Sequence, residues 1–319
     1  MSRFTILATP RSFAKVDPAP LKLLEDNDCQ VIRLPKDGGA LADELPRYMA
    51  QADGIVAGLE EYTPELMRLG TKLKVISRYG VGYNNVDMDT AKAMGVTVCN
   101  TPGANSDSVA DLAMALMLDA ARNVTRMDAV IRAGGKDRPI SGGEMWRKTL
   151  GVVGTGRIGK GVILRASGFQ MKILAYDAYP DEAFVKAQGG TYVELDELFR
   201  EADFITLHAP LNDQTKHMVD ARRLAMMKPT AVIVNTARGG IIDEDALYQA
   251  LKSGQIAGAA LDATVAEPPC DSPLKELPNC ILTPHAGAAT REAGNNMGMM
   301  AAQSALDVLN GRPCRFIVS

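Results

Sequence analysis

Short apolar runs alternate with helix-period segments along the chain, and this alternation sets the expected fold class. In the first hundred residues Phe4–Ala8, Gln30–Leu34, Gly54–Ala57 and Leu73–Ser77 read as strands, with helices over Leu41–Gln51 and Pro64–Leu69 between them. Apolar strands separated by helices argue for a parallel sheet covered on both faces. A second series starts at Leu150. Its strands are expected at Leu150–Val153, Lys172–Tyr176, Phe204–Leu207, Ala231–Asn235, Ala257–Leu261 and Cys280–Leu282. Its helices are expected at Arg157–Ala166, Asp181–Gln188, Ala221–Met227, Glu244–Lys252 and Thr290–Leu309, the last packing back on the first series. Between the two series, Asn105–Arg122 carries apolar residues at helical spacing (Val109, Leu112, Ala113, Leu116, Ala120), with Asn105 or Ser106 as its cap. It is apolar nearly all round, which predicts a buried helix. The expected architecture is α/β, with two doubly wound parallel sheets.

Composition narrows the partners. At ~150 residues per domain, 319 residues fit about two domains. The formal net charge of −3 offers no basic surplus, so neither nucleic acid nor a membrane is expected as a partner. The most apolar stretch, Leu112–Leu118, is closed by Asp111 and Asp119 and is far short of the ~20 residues that cross a bilayer. Met1–Pro10 is too brief an apolar patch for a secretory signal. The five cysteines are scattered and form no C-x-x-C pair. Reduced thiols in a cytoplasmic protein are therefore expected, with no disulfide scaffold and no metal.

The sharpest local signal is Gly151-Val-Val-Gly154-Thr-Gly156-Arg-Ile-Gly159, which leaves a strand and opens a helix. Gly154 permits the tight turn, Gly156 lets a pyrophosphate approach the backbone, and Gly159 lets helix and strand pack closely. Free N–H groups around Arg157 and Ile158 attract phosphate charge. The next strand ends in Tyr176-Asp177, where a carboxylate can accept hydrogen bonds from a ribose diol and repel a 2′-phosphate. NAD is therefore the expected cofactor.

Three polar residues follow later strands: Arg238 in Asn235-Thr-Ala-Arg, Glu267 in Ala266-Glu-Pro-Pro, and His285 in Thr283-Pro-His-Ala-Gly. All fall at carboxyl ends of strands, the edge where open α/β sheets bind ligands. Singly, each has an ordinary structural reading: a surface ion pair, a loop residue, a turn residue. Together they supply what reduction of a 2-oxo acid needs besides hydride. His is a proton donor near neutral pH, Glu orients it, and Arg offers a planar fork to a carboxylate.

With Gly154–Gly159, Asp177, Arg238, Glu267 and His285 in place, the chain resembles the D-isomer-specific 2-hydroxyacid dehydrogenases, in particular phosphoglycerate dehydrogenase-like and hydroxypyruvate reductase-like members. The runs Ser77-Arg-Tyr-Gly-Val-Gly-Tyr-Asn-Asn-Val-Asp87, Asn100-Thr-Pro-Gly-Ala-Asn-Ser-Asp-Ser-Val-Ala110 and Leu207-His-Ala-Pro-Leu211 support it. The resemblance implies a Rossmann cofactor domain over residues 101–286 and a discontinuous flavodoxin-like substrate domain over 1–100 and 287–319. It implies NAD-dependent hydride transfer to or from a small D-2-hydroxy acid or its 2-oxo partner, such as hydroxypyruvate, glyoxylate or 3-phosphoglycerate. Arg238, Glu267 and His285 would be catalytic, with Arg238 also holding the substrate. Val81 and Gly82 would bind the substrate carboxylate through their N–H groups, and Asn105 would lie beside it. Thr215, Thr236 and Asp262 would contact the cofactor. His208 fits either a cofactor contact or a structural role. A homodimer built through the cofactor domain is implied, in which Trp146 reaches a neighbouring site or is simply buried.

Two departures stand out. No aromatic residue occurs in Ala263-Thr-Val-Ala266, and no Arg stands near Ala57, where phosphoglycerate-oxidising members usually carry one. The second weighs against a phosphorylated substrate. An NAD(H)-sensing binding protein of the same fold is the alternative outside catalysis. A formate-type dehydrogenase is disfavoured, because such relatives place an amide where Glu267 stands.

Overall fold

The computed structural model describes residues 2–36, 39–136 and 139–318. In chain order the elements are β1 (Phe4–Ala8), α1 (Ala19–Glu25), β2 (Cys29–Arg33), α2 (Leu41–Met49), β3 (Gly54–Ala57), α3 (Pro64–Arg68), β4 (Val75–Arg78), α4 (Met88–Met94), β5 (Thr97–Cys99), α5 (Ser106–Arg122) and α6 (Val124–Arg132). There follow β6 (Thr149–Val153), α7 (Arg157–Ala166), β7 (Lys172–Tyr176), α8 (Glu182–Ala187), β8 (Thr191–Tyr192), α9 (Leu195–Glu201), β9 (Phe204–Leu207), α10 (Ala221–Leu224), β10 (Val232–Asn235), α11 (Glu244–Lys252), β11 (Gly258–Leu261), β12 (Cys280–Leu282) and α12 (Arg291–Leu309). They form two compact units: Met1–Asn105 with Ala289–Ser319, and Ser106–Ala288.

Unit 1 holds a five-stranded parallel sheet in the order β2-β1-β3-β4-β5, the flavodoxin-like order of a doubly wound sheet. Successive residues along each strand face opposite sides. Leu7, Ile55, Ile76 and Val98 pack on α2, α3 and α4 through Leu45, Met49, Met67 and Ala91. Ile6, Val56, Val75 and Cys99 pack on the other side, where α12 contributes Ala301, Ala305 and Leu309. The Ser77 hydroxyl donates to the Ala301 carbonyl at 2.9 Å, tying α12 to β4. The last helix thus completes the first sheet, as its position in the sequence suggested.

Unit 2 holds a seven-stranded parallel sheet, β8-β7-β6-β9-β10-β11-β12. From β6 the chain winds outward to β8, then crosses to β9 and winds the other way, which is the Rossmann order with one added strand. Leu150, Val152 and Val234 face α5 and α7, and Ile205, Leu207 and Ile233 face α9, α10 and α11. Leu150 and Ile205 have no exposed surface, and burial of each contributes about 1.5–3 kcal/mol. Carboxylate and hydroxyl caps start several helices: Asp181 accepts from the Phe184 N–H, Asp220 from Arg223 and Asp243 from Ala246. The expectation that α5 is buried nearly all round does not hold. Asp107, Asp111, Ala115 and Leu118 form an exposed stripe along it, while Ala113, Met114 and Met117 face the sheet. Among the described residues no helix is long and apolar enough to cross a membrane.

Candidate active site

The polar residues of unit 2 gather at the carboxyl ends of its strands, where each strand hands over to a loop. After β6, the chain turns through Gly154–Gly156 into α7. Gly154 has φ +93°, and a Cβ there would lie 2.7 Å from the His208 carbonyl carbon. A Cβ on Gly159 would lie 2.0 Å from the Gly154 oxygen, so only glycine lets α7 approach the turn this closely. Beside Gly156 a Cβ would meet nothing within 4 Å. No side chain caps α7. Among the described residues nothing accepts from the amide N–H groups of Arg157 and Ile158. An open turn, free donors and the positive end of a ten-residue helix make a seat for a phosphate group, and so fit a dinucleotide.

Asp177 stands just past β7, beside that turn. Its Oδ2 accepts from the Thr155 N–H at 2.5 Å and the Thr155 hydroxyl at 3.0 Å, and its Oδ1 accepts from the Tyr179 N–H at 2.9 Å. The Thr155 oxygen is then left to accept from Tyr192, whose Oη is 2.7 Å away and itself accepts the Asp181 N–H at 2.9 Å. Sequence reasoning missed Tyr192, because only the pairing of β8 with β7 brings it here. The network fixes a negative charge where an adenosine ribose would be read. Asp177→Ala should therefore weaken NADH binding by roughly ten- to a hundredfold, the worth of a hydrogen bond to a charged group, and weaken NADPH far less. Fluorescence titration of both nucleotides checks this, and equal losses would refute the ribose role.

His208, just past β9, donates its N–H to the Val153 carbonyl at 2.7 Å, and its Nε2 lies 2.9 Å from the Thr206 hydroxyl. The Thr236 hydroxyl approaches Nδ1 only at 3.5 Å. Burial pushes the imidazole from its ordinary value near 6.5 down to about 3. The ring is neutral at neutral pH, and its segment braces the glycine turn. Thr215 sits in the loop after β9, where its hydroxyl donates to the Pro210 carbonyl at 2.6 Å.

The loops after β10, β11 and β12 carry the remaining residues. Asn235, at the end of β10, accepts the Ala237 N–H at 3.0 Å and donates to the carbonyls of Arg238 at 2.8 Å and Ala263 at 3.3 Å. One amide thus shapes the Arg238 turn and binds it to the next loop. Burial lowers the pKa of the Arg238 guanidinium while Glu267 opposes that shift, and a guanidinium remains charged throughout. His285 places Nδ1 at 2.8 Å and 3.0 Å from the two Glu267 oxygens. Their side chains are 29% and 34% exposed, so the pair is reachable from solvent. With Nδ1 turned to the carboxylate, Nε2 is the nitrogen left to face a substrate.

Asp262 explains why His285 stands there. It is 2% exposed, and it accepts from the Thr283 hydroxyl at 2.6 Å and from the N–H groups of Ala286 at 2.6 Å and Gly287 at 2.8 Å. Its own carbonyl accepts the His285 N–H at 3.0 Å. His285 has φ +53°, uncommon for a residue with a side chain, and these bonds hold it in that conformation.

In unit 1, Val81 and Gly82 follow β4. The carbonyls of Gly80, Val81 and Gly82 accept from the Thr101 N–H at 3.0 Å, Asn100 Nδ2 at 2.8 Å and Arg78 Nε at 2.9 Å. Among the described residues nothing accepts from the amides of Val81 and Gly82. Carbonyls tied back and amides left open describe an anion seat. Asn105 ends unit 1, and its Oδ1 is buried with no hydrogen-bond partner among the described residues.

A family model described as "D-isomer specific 2-hydroxyacid dehydrogenase, NAD binding domain" matches residues 114–287. The D-3-phosphoglycerate dehydrogenase of Methanocaldococcus jannaschii is 44% identical over 284 residues, which cover 88% of this chain and 54% of that protein. The chain thus spans about half the length of that relative. The hydroxypyruvate reductase of Thermotoga maritima is 43% identical over 262 residues, 81% of this chain and 85% of that protein. Among solved structures, the D-lactate dehydrogenase of Aquifex aeolicus, complexed with NAD and lactic acid, matches with TM-score 0.83 at 29% identity, covering 98% of each chain.

Proposed function

Since the chain belongs to the D-isomer-specific 2-hydroxyacid dehydrogenase family and carries its NAD-binding domain, we propose that it interconverts a small D-2-hydroxy acid and its 2-oxo acid. The observation that carries this reading is the His285–Glu267 pair, held by Asp262 at the strand ends of the sheet that bears the glycine turn and Arg238.

NADH, when bound, supplies hydride to the carbonyl carbon. Gly154–Gly159 and the α7 amides would hold its pyrophosphate, and Asp177 its ribose. Arg238 binds the substrate carboxylate with its fork and draws charge onto the carbonyl oxygen. His285 Nε2, as imidazolium, gives its proton to that oxygen, and Glu267 keeps the ring turned and offsets its charge. In the oxidative direction neutral His285 takes the proton back.

The loop after β3 supports a substrate without a phosphate group. It carries Glu60 and Glu61 and no basic residue of its own, while Arg78 of β4 donates to the Ala57 and Gly58 carbonyls. Glu60 is fixed there, accepting from the Thr9 and Tyr62 hydroxyls and from the Gly58 N–H. With no Arg near Ala57, where phosphoglycerate-oxidising members usually carry one, hydroxypyruvate or glyoxylate fits better than 3-phosphoglycerate. The same reading includes a homodimer through unit 2, supported by the exposed apolar side chains of Val124, Ile131 and Trp146. The decisive experiment follows NADH oxidation against 2-oxo acids with and without a phosphate group. Turnover is expected on the small unphosphorylated acids. Tight NADH binding with no turnover on any of them would instead mark an NAD(H)-sensing protein.

A further inference from the structure

Two of the five cysteines meet inside unit 1. Cys99 ends β5 and has no exposed surface, while Cys314 lies partly exposed on the tail after α12. Their Sγ atoms are 3.6 Å apart across 215 residues of sequence, so spacing alone does not reveal the pair. β5 is the edge strand of its sheet, and the tail runs along that edge. Asn100 donates its N–H to the Phe316 carbonyl at 3.1 Å, Val318 donates to Val98 at 2.9 Å, and Cys99 faces Ile317 in an antiparallel bridge. Arg312 adds an ion pair to Asp307 at 3.1 Å. These bonds bring the one cysteine of the tail against the one cysteine of β5.

We propose that Cys99 and Cys314 are a reversible thiol–disulfide pair, closed by a hydroperoxide and clamping the tail onto β5. The sulfur of Cys314 meets the oxidant first, since Cys99 is enclosed. It attacks the O–O bond and becomes a sulfenic acid, and the peroxide leaves as an alcohol or water. The Cys99 sulfur then displaces the sulfenic hydroxyl, which departs as water with the Cys99 proton. The two thiols lose two electrons and the peroxide gains them. A disulfide needs the sulfurs at about 2.05 Å, so the pair must close from its 3.6 Å contact. Burial and the neighbouring Cys314 push the Cys99 thiol up, which keeps it protonated at rest and leaves the exposed partner as the point of entry. The clamp would end one residue before Asn100, which holds the Val81 carbonyl.

The test uses the full chain, reduced, freed of reductant and treated with hydrogen peroxide. The intact mass should fall by two hydrogens, and the thiols titrated after denaturation should fall by two from the five in the sequence. A non-reducing digest should contain the Cys99–Cys314 linked peptide, and dithiothreitol should reverse all three changes. Cys314→Ser, at a partly exposed tail position, should keep the fold and lose the linked peptide. Oxygen addition at Cys314 with Cys99 still free would overturn the proposal, as would linkage only through exposed Cys270. None of these readouts depends on turnover, so their failure is separable from failure of the dehydrogenase reading.

Discussion

His285→Ala should lower kcat by about 10²- to 10⁴-fold, the range a positioned general acid or base supplies, with NADH affinity unchanged. The expectation rests on geometry. Nδ1 is committed to Glu267, and among the described residues Nε2 has no hydrogen-bond partner and no hydrogen bond joins the side chain to the glycine turn. KM should move little, because the imidazole is assigned to proton transfer and not to holding the carboxylate. Glu267→Gln should keep the ring placed through its remaining oxygen while removing the carboxylate, and should therefore lower kcat by a smaller factor. Steady-state kinetics on the best 2-oxo acid, with NADH binding measured separately, checks both variants. Turnover near that of the unaltered protein in His285→Ala would remove His285 from the mechanism.

Strands were legible because both sheets are covered on each face, which makes β3, β4, β9 and β10 continuous buried runs. Some elements missed are those that tertiary pairing supports more than local pattern, whereas α1 and α9 were missed although they bury Leu24 and Leu195, Leu198 and Phe199. β8 is two residues long and exists by pairing with β7, and β5 is three residues long. α6 has no buried residue, so no apolar face announces it. α4 was readable in principle, with Asp87 accepting the Thr90 N–H and Gly95 in the left-handed region at φ +69°, but seven residues give too short a period.

The site divides the same way. Positions at strand ends carry a signal in combination, because Arg238, Glu267 and His285 all follow strands of one parallel sheet, although each alone has an ordinary structural reading. Contacts between neighbouring loops carry none. Nothing within Thr283–Gly287 says that Asp262 holds it, and nothing near Asp177 says that Tyr192 lies behind Thr155. Asp262 shows the gap most clearly. The resemblance assigns it to the cofactor, while the structure shows its buried carboxylate engaged by the loop that carries His285.

Arg238→Lys should separate charge from shape at the substrate carboxylate. Lysine keeps the positive charge beside Glu267 but loses the planar fork that pairs with two oxygens at once. Truncating one partner of a desolvated, hydrogen-bonded charge pair typically costs about 2–5 kcal/mol, so kcat/KM should fall by roughly 30- to 5000-fold. Both parameters should contribute. KM rises because the carboxylate is held less well, and kcat falls because the guanidinium no longer polarises the carbonyl as charge develops on its oxygen. Nucleotide binding should not change, since Arg238 follows β10 and the glycine turn follows β6. The opposite split, with NADH affinity lost and substrate KM kept, would place Arg238 on the cofactor and break the reading of the triad. Combining His285→Ala with Arg238→Lys gives the sharper test. Two groups acting on one oxygen should lose less together than the product of their separate losses, whereas independent roles would multiply.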